Sequence, residues 1–89
     1  MSKNSMRHKV PEHELLKQAD LVVYRDADET VTGIIISLHN HSDWWGGGYY
    51  YVSWNEPEKA IYEREVAYEE MHRWKLADIV KVFPAPNNI

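Results

Sequence analysis

The sequence has no cysteine, and its 89 residues include only four glycines, four prolines and one phenylalanine. Without cysteine there is neither a disulfide framework nor thiolate chemistry, which is compatible with a reducing compartment. The longest apolar run, residues 33–38, is far too short to cross a membrane. No apolar segment follows the basic residues near the N-terminus, so we expect no signal peptide. We therefore predict a cytoplasmic protein without a membrane partner.

A concentration of positive charge is also missing, because the net charge is −4 and the ten basic residues are scattered along the chain. General binding to nucleic acid needs clustered lysine and arginine, so this composition does not favour it. With 44% hydrophobic residues, the chain has enough apolar side chains for one domain with a small core. We predict a flexible N-terminal tail at residues 1–13, a domain at 14–84 and a C-terminal tail at 85–89.

Short segments rich in β-branched and aromatic residues predict strands at 20–25, from residue 30 onward and at 49–54. A loop rich in tryptophan and glycine separates the second strand from the third. The segment 60–76 begins with strand-like alternation, and from about residue 66 its apolar spacing favours a helix, which we place at 67–76. A last strand is predicted at 78–83, before two prolines.

Alternation of side chains along each strand predicts which of them form the core. In the second strand, Ile34 and Ile36 share the face that we assign to the core. In the third strand we choose the face of Tyr50 and Trp54, because Trp54 is the largest apolar side chain there. The predicted core contains Leu21, Val23, Ile34, Ile36, Leu38, Val52, Trp54, Ile61, Met71 and Val80.

Four short segments carry a family resemblance: ADLV at 19–22, GII at 33–35, VSW at 52–54 and LADIV at 76–80. Their order resembles that of a small SH3-like barrel, and the segments resemble the SH3-like proteins of phages over residues 17–83. Ala19 stands where that group has glycine, and residues 61–76 are longer and more helical than usual in it.

The resemblance implies a mainly β fold with one short helix, a five-stranded antiparallel SH3-like barrel. It also implies a phage origin and, with it, the cytoplasm of the host. Most members of that group have no assigned activity, and a fold does not determine a function. The functional prediction must therefore come from the residues themselves.

Two adjacent tryptophans, Trp44 and Trp45, form the sharpest functional signal. Two adjacent side chains in an extended loop cannot both point into a core, and exposed tryptophan is typical of residues that anchor an interface. We predict a partner-binding site at Trp44 and Trp45, with Tyr49 and Tyr51 beside them on the outward face of the third strand. The alternative is that one or both tryptophans cap an open end of the barrel.

His39, His41 and Asp43 alternate along the chain and could offer three ligands to a divalent metal. The spacing is common and no fourth ligand is evident, so we interpret them as solvated loop residues and predict no metal. No nucleophile and base stand at a spacing that indicates catalysis. We therefore predict a protein that is not an enzyme and needs no cofactor.

The acidic group Glu63, Glu65, Glu69 and Glu70 is typical of a solvated helix face, or of a surface that meets a basic partner. We predict a small binding module, a phage-type accessory protein that acts through protein–protein contacts. The alternative is a nucleic-acid-binding accessory protein in which outward aromatic residues such as Tyr49 and Tyr51 stack on bases.

Overall fold

The computed structural model describes residues 9–56 and 64–86, and its main feature is one antiparallel sheet of five strands. A short 3₁₀ helix, Glu12–Glu14, precedes the sheet, and one α-helix lies between the last two strands. The strands are β1 (Leu21–Asp26), β2 (Glu29–Asn40), β3 (Gly48–Trp54), β4 (Glu65–Ala67) and β5 (Val80–Phe83), and the helix is α1 (Tyr68–Leu76).

The strand order is β4-β3-β2-β1-β5, so β4 and β5 lie at the edges and the described part of the sheet is open. The long strand β2 joins the two halves, because its first half pairs with β1 and its second half with β3. A register shift between Ile35 and Ser37 marks a β-bulge in β2. Bulges increase the local bend and twist of a strand, which allows one long strand to serve both halves of a small curved sheet.

The structure corrects the predicted core face of β2. Val31 and Ile35 are fully buried, whereas Ile34 and Ile36 are 46% and 42% exposed. The apolar run 33–36 makes both faces of the strand apolar, so the sequence does not distinguish them. An error of one residue in the assignment moves every side chain to the opposite face. Leu38, beyond the bulge, is half-buried and packs against the core.

The predicted core face of β1 is wrong for the same reason. Val22 is fully buried, while Leu21 is exposed and Val23 is half-buried. Leu21 pairs with Ile34 on one side and with Phe83 on the other, so the three residues form an exposed apolar row across β2, β1 and β5.

Other predictions about the core are confirmed. Tyr50, Val52 and Trp54 of β3 are buried, as are Met71 of α1 and Val80 of β5. The helix predicted at 67–76 is present as α1. Ile61, also predicted in the core, lies outside the described residues. In the two described segments of the chain, no helix has the length and apolar character needed to span a membrane.

Candidate functional site: a groove of tryptophans and carboxylates

The loop between β2 and β3, residues 41–47, is closed by its own backbone hydrogen bonds. The His41 N–H donates to the Gly47 carbonyl at 2.8 Å, the Trp44 N–H to the His41 carbonyl at 3.0 Å, and the Gly47 N–H to the Trp44 carbonyl at 3.0 Å. These bonds fix the positions from which the two tryptophan side chains leave the backbone.

The same loop is attached to the start of α1. The Glu69 N–H donates to the Trp45 carbonyl at 3.1 Å, which satisfies one backbone donor of the first helical turn. Gly46 adopts a φ of +89°, and a Cβ atom there would lie 2.5 Å from the backbone nitrogen of Glu69. Glycine at position 46 therefore permits both the turn and the close approach to the helix.

Trp44 packs on the outward face of β3. Its ring centroid lies 4.5 Å from that of Tyr49, and the ring of His39 stacks on the same tyrosine at 4.9 Å. Tyr51 follows two residues later on this face, and its hydroxyl accepts a long hydrogen bond of 3.5 Å from the Arg64 guanidinium. The structure thus brings two of the predicted site residues into contact, with Trp44 half-buried against Tyr49, while Tyr51 shares their face of β3.

Trp45 is directed to the helix and is 51% exposed. It lines a small cleft with the α1 residues Glu69, Glu70 and Arg73. Beside this cleft lies a groove of about 370 Å³, where the loop, β4 and α1 meet. We call it the tryptophan groove, and it is lined by Trp44, Trp45, Glu65, Val66, Ala67, Glu70 and Trp74.

The charge on the tryptophan groove is negative. Glu65 and Glu70 line it, and Glu70 pairs with Arg73 at 3.7 Å. Over residues 9–56 and 64–86, no ion pair involves the Glu65 carboxylate. The groove therefore offers one unneutralised carboxylate and one that is shared with an exposed arginine.

Two buried tyrosines, Tyr50 of β3 and Tyr68 of α1, pack on each other with ring centroids 4.8 Å apart. The Tyr68 hydroxyl donates to Asn40 Oδ1 at 2.9 Å, and the Tyr50 hydroxyl accepts from the Leu16 N–H at 3.0 Å. Burial raises the pKa of Tyr50 to about 12 and also raises the pKa of Tyr68. Both phenols therefore stay neutral at physiological pH and act as fixed hydrogen-bonding groups.

Trp74 belongs to this site but was predicted only as part of the helix at 67–76. In the structure Trp74 packs on Tyr24 with ring centroids 5.0 Å apart and also lines the tryptophan groove. A signal was available, because Glu70 and Trp74 are four residues apart and so share one helix face. Only the position of the loop reveals that this face lies beside Trp44 and Trp45.

The histidines considered as metal ligands have other neighbours. His39 Nε2 lies 2.8 Å from Ser37 Oγ, and His41 Nδ1 accepts from the Asp43 N–H at 3.2 Å. Among the residues that the structure describes, no three histidine or carboxylate side chains are grouped to hold a metal. The absence of a metal and of a cofactor stays a prediction.

Comparison of the chain with models of known protein families, with curated proteins and with solved structures yields no match.

Proposed function

We propose that this protein is a small, non-enzymatic binding module that acts through contacts with a protein partner. The observation that carries the proposal is the exposure of Trp45 on a fixed loop, beside a groove with further tryptophans. Tryptophans on rigid backbone bind with little loss of conformational freedom, and a few such residues usually supply most of the energy of an interface. Trp44 and Trp45 are the proposed anchors, with Tyr49 and Tyr51 as their neighbours.

The proposal extends to an SH3-like barrel of phage type that works in the cytoplasm of the host. The strand order, with β1 between β2 and β5, and the long bulged strand β2 support a sheet that curls towards a barrel. Ala19 adds support, since its φ of +77° lies in the region that glycine favours, and the phage group has glycine there. The residue that departs from the pattern thus keeps the backbone conformation that suits glycine.

Affinity purification from the source cells tests the binding function. Wild type and Trp45→Ala are immobilised side by side, and the lysate is applied with and without nuclease. We expect one or a few proteins to be retained by wild type after nuclease treatment and to be lost with Trp45→Ala. Partners that disappear on nuclease treatment would contradict the proposal.

Phe83→Ala is a matched control for this experiment. Phe83 is 51% exposed, as Trp45 is, but it lies on β5 in the apolar row of Leu21 and Ile34. We expect Phe83→Ala to retain the same proteins as wild type. If both variants lose the retained proteins equally, any exposed aromatic side chain is enough to retain them, and the tryptophan groove is not the binding site.

A second function is favoured by one observation, the row of rings formed by His39, Tyr49 and Trp44. Such a row offers stacking partners to unpaired bases, as aromatic residues on small barrels do. The net charge of −4 and the carboxylate of Glu65 on the same side of the sheet oppose this function.

Titration with a single-stranded oligonucleotide separates the two functions. A nucleic-acid binder would bind at low salt and lose affinity steeply as salt increases, because phosphate contacts release counterions. It would also lose affinity in Tyr49→Ala. We expect no binding that depends on Tyr49, and binding of this kind would replace the protein-binding proposal.

A further inference from the structure

The tryptophan groove combines indole rings with carboxylates, and this combination selects one class of ligand. Trp44, Trp45 and Trp74 supply the rings, while Glu65 and Glu70 supply the charge. Indole rings attract cations through their quadrupole, and carboxylates bind guanidinium groups through charge-assisted hydrogen bonds. We infer that the groove binds an arginine side chain from a basic segment of the partner. This inference rests on the proposed protein-binding function and specifies its ligand.

The protein's own arginine shows that a guanidinium is compatible with this surface. Arg73 Nη2 lies 3.7 Å from Glu70 Oε2, and the Arg73 side chain is 66% exposed. It lines the cleft beside Trp45 but not the tryptophan groove itself. The Glu65 carboxylate, at the β4 side of the groove, has no such partner in residues 9–56 and 64–86. Glu65 is therefore the main charge available to an incoming cation.

The volume of the groove is suited to a single side chain. Its volume of about 370 Å³ lies near the lower end of the range of about 300–1,000 Å³ that is usual for small-ligand sites. Arginine fits this mixed lining better than lysine, because its guanidinium is planar, stacks on aromatic rings and is less strongly hydrated. Wrong partners are also disfavoured, since the two carboxylates would repel an acidic peptide or a phosphate backbone.

The test uses the full chain labelled with ¹⁵N and a short oligo-arginine peptide as the probe. The four tryptophans each give an indole N–H signal, and buried Trp54 serves as an internal control. We expect the signals of Trp44, Trp45 and Trp74 to shift and saturate together, with that of Trp54 unchanged. An oligo-lysine peptide should bind more weakly, and an oligo-glutamate peptide should shift none of the four indole signals. No shift with oligo-arginine, or equal shifts of all four, would overturn the inference.

Two variants with the same change of charge distinguish binding in the groove from a general attraction of the basic peptide to an acidic protein. Glu65→Gln removes the carboxylate that has no ion-pair partner among the described residues. It should weaken the binding of oligo-arginine about threefold or more, the size of one exposed cation contact. Asp28→Asn removes a carboxylate that is exposed in the turn between β1 and β2 and is not part of the groove. We expect Asp28→Asn to bind as wild type does, and equal weakening by both variants would overturn the inference.

The failure of this inference is distinguishable from the failure of the proposed function. If oligo-arginine leaves the indole signals unchanged while a retained protein still depends on Trp45, the arginine ligand is wrong and the binding function stands. If the peptide shifts the three groove signals as expected but no protein depends on Trp45, the cation site stands and the proposed protein-binding function is wrong.

Discussion

Gly33 of β2 lies directly opposite Trp54 of β3, and the indole ring covers the space where a side chain at position 33 would be. A Cβ atom on Gly33 would lie 2.7 Å from Trp54 Cε3 and 2.8 Å from Val52 Cγ1. Both neighbours are buried, and neither is the free end of a flexible side chain. The largest ring of the core is therefore accommodated by the absence of a side chain on the neighbouring strand.

Gly33→Ala should destabilise the domain, because the added methyl group must displace Trp54 or Val52 within a close-packed core. We expect a loss of about 1–3 kcal/mol in the free energy of unfolding, the usual effect of overpacking. Chemical denaturation followed by tryptophan fluorescence measures it. Ser53→Ala, at an exposed position of the same strand pair, is the control and should change little. A Gly33→Ala variant as stable as wild type would refute the close approach.

The assignment of the two faces of β2 is tested by a pair of adjacent isoleucines. Ile35 is fully buried, so Ile35→Ala should cost about 2–5 kcal/mol through lost burial and the cavity left behind. Ile34 is 46% exposed, and Ile34→Ala should cost about 1 kcal/mol or less, mostly as lost strand propensity. Both values come from denaturant titrations under the same conditions. The reverse order of stability would restore the face first predicted from the sequence.

The strands and the helix were predictable because their signals are local. The β-branched and aromatic residues of β1 and β3 and the apolar spacing around Met71 indicate strand and helix without knowledge of the rest of the chain. The face of β2 was not predictable in this way, since the run 33–36 is apolar on both sides. Its orientation depends on pairing with Trp54 and on the bulge near Ile36, which are contacts between distant parts of the sequence.

The candidate site was also predictable only in part. The adjacent tryptophans and the loop glycines indicated a loop whose tryptophans either anchor a partner or cap the fold. In the structure Trp45 is half-exposed and Trp44 is half-buried. The groove itself could not be predicted, because it exists only where the loop meets α1. The hydrogen bond from Glu69 to the Trp45 carbonyl places the loop there, and a backbone bond of this kind leaves no signature in the side-chain pattern.

Ala19→Gly should stabilise the protein. Ala19 is exposed and has a φ of +77°, where a Cβ atom costs about 1–2 kcal/mol. Glycine removes this strain but increases the freedom of the unfolded chain by about 0.4–1 kcal/mol. The net gain should be up to about 1.6 kcal/mol, seen as a higher Tm. Ala77→Gly is the control, since Ala77 has an ordinary φ of −86° and the change should destabilise. A lower Tm for both variants would contradict the prediction.

Tyr50→Phe should destabilise the protein by an amount that depends on pH. The change leaves the buried Leu16 N–H without its acceptor, which costs about 1–3 kcal/mol at neutral pH. Burial raises the pKa of Tyr50 from 10.0 to about 12, so the folded protein keeps the proton at a pH where the unfolded chain loses it. The stability that Tyr50 contributes is therefore complete below pH 10 and decreases between pH 10 and about 12.

Urea unfolding at about pH 9 and pH 11 measures this dependence. Above pH 10 the wild type should lose up to about 1.4 kcal/mol per pH unit through Tyr50, and Tyr50→Phe removes this contribution. The difference in stability between wild type and variant should therefore be smaller at the higher pH. Tyr68, whose pKa burial also raises, contributes a decrease of the same sign in both proteins. An equal difference at both values of pH would show that the Tyr50 hydroxyl is accessible to water.

Trp45→Ala and Trp44→Ala should differ in their effect on stability and agree in their effect on binding. The Trp45 side chain is 51% exposed, and its carbonyl, which alanine retains, makes the hydrogen bond to Glu69. Removal of the Trp45 indole should therefore lower the free energy of unfolding by about 1 kcal/mol or less. Trp44 packs on Tyr49, so removal of its indole should cost more, about 1–2 kcal/mol.

Because both rings line the tryptophan groove, each variant should reduce binding of oligo-arginine and of a retained partner by about fivefold or more. Thermal melting and the indole titration, made on the same samples, separate the two effects. If both variants melt much earlier than wild type and bind normally when folded, the tryptophans cap the fold and do not anchor a partner.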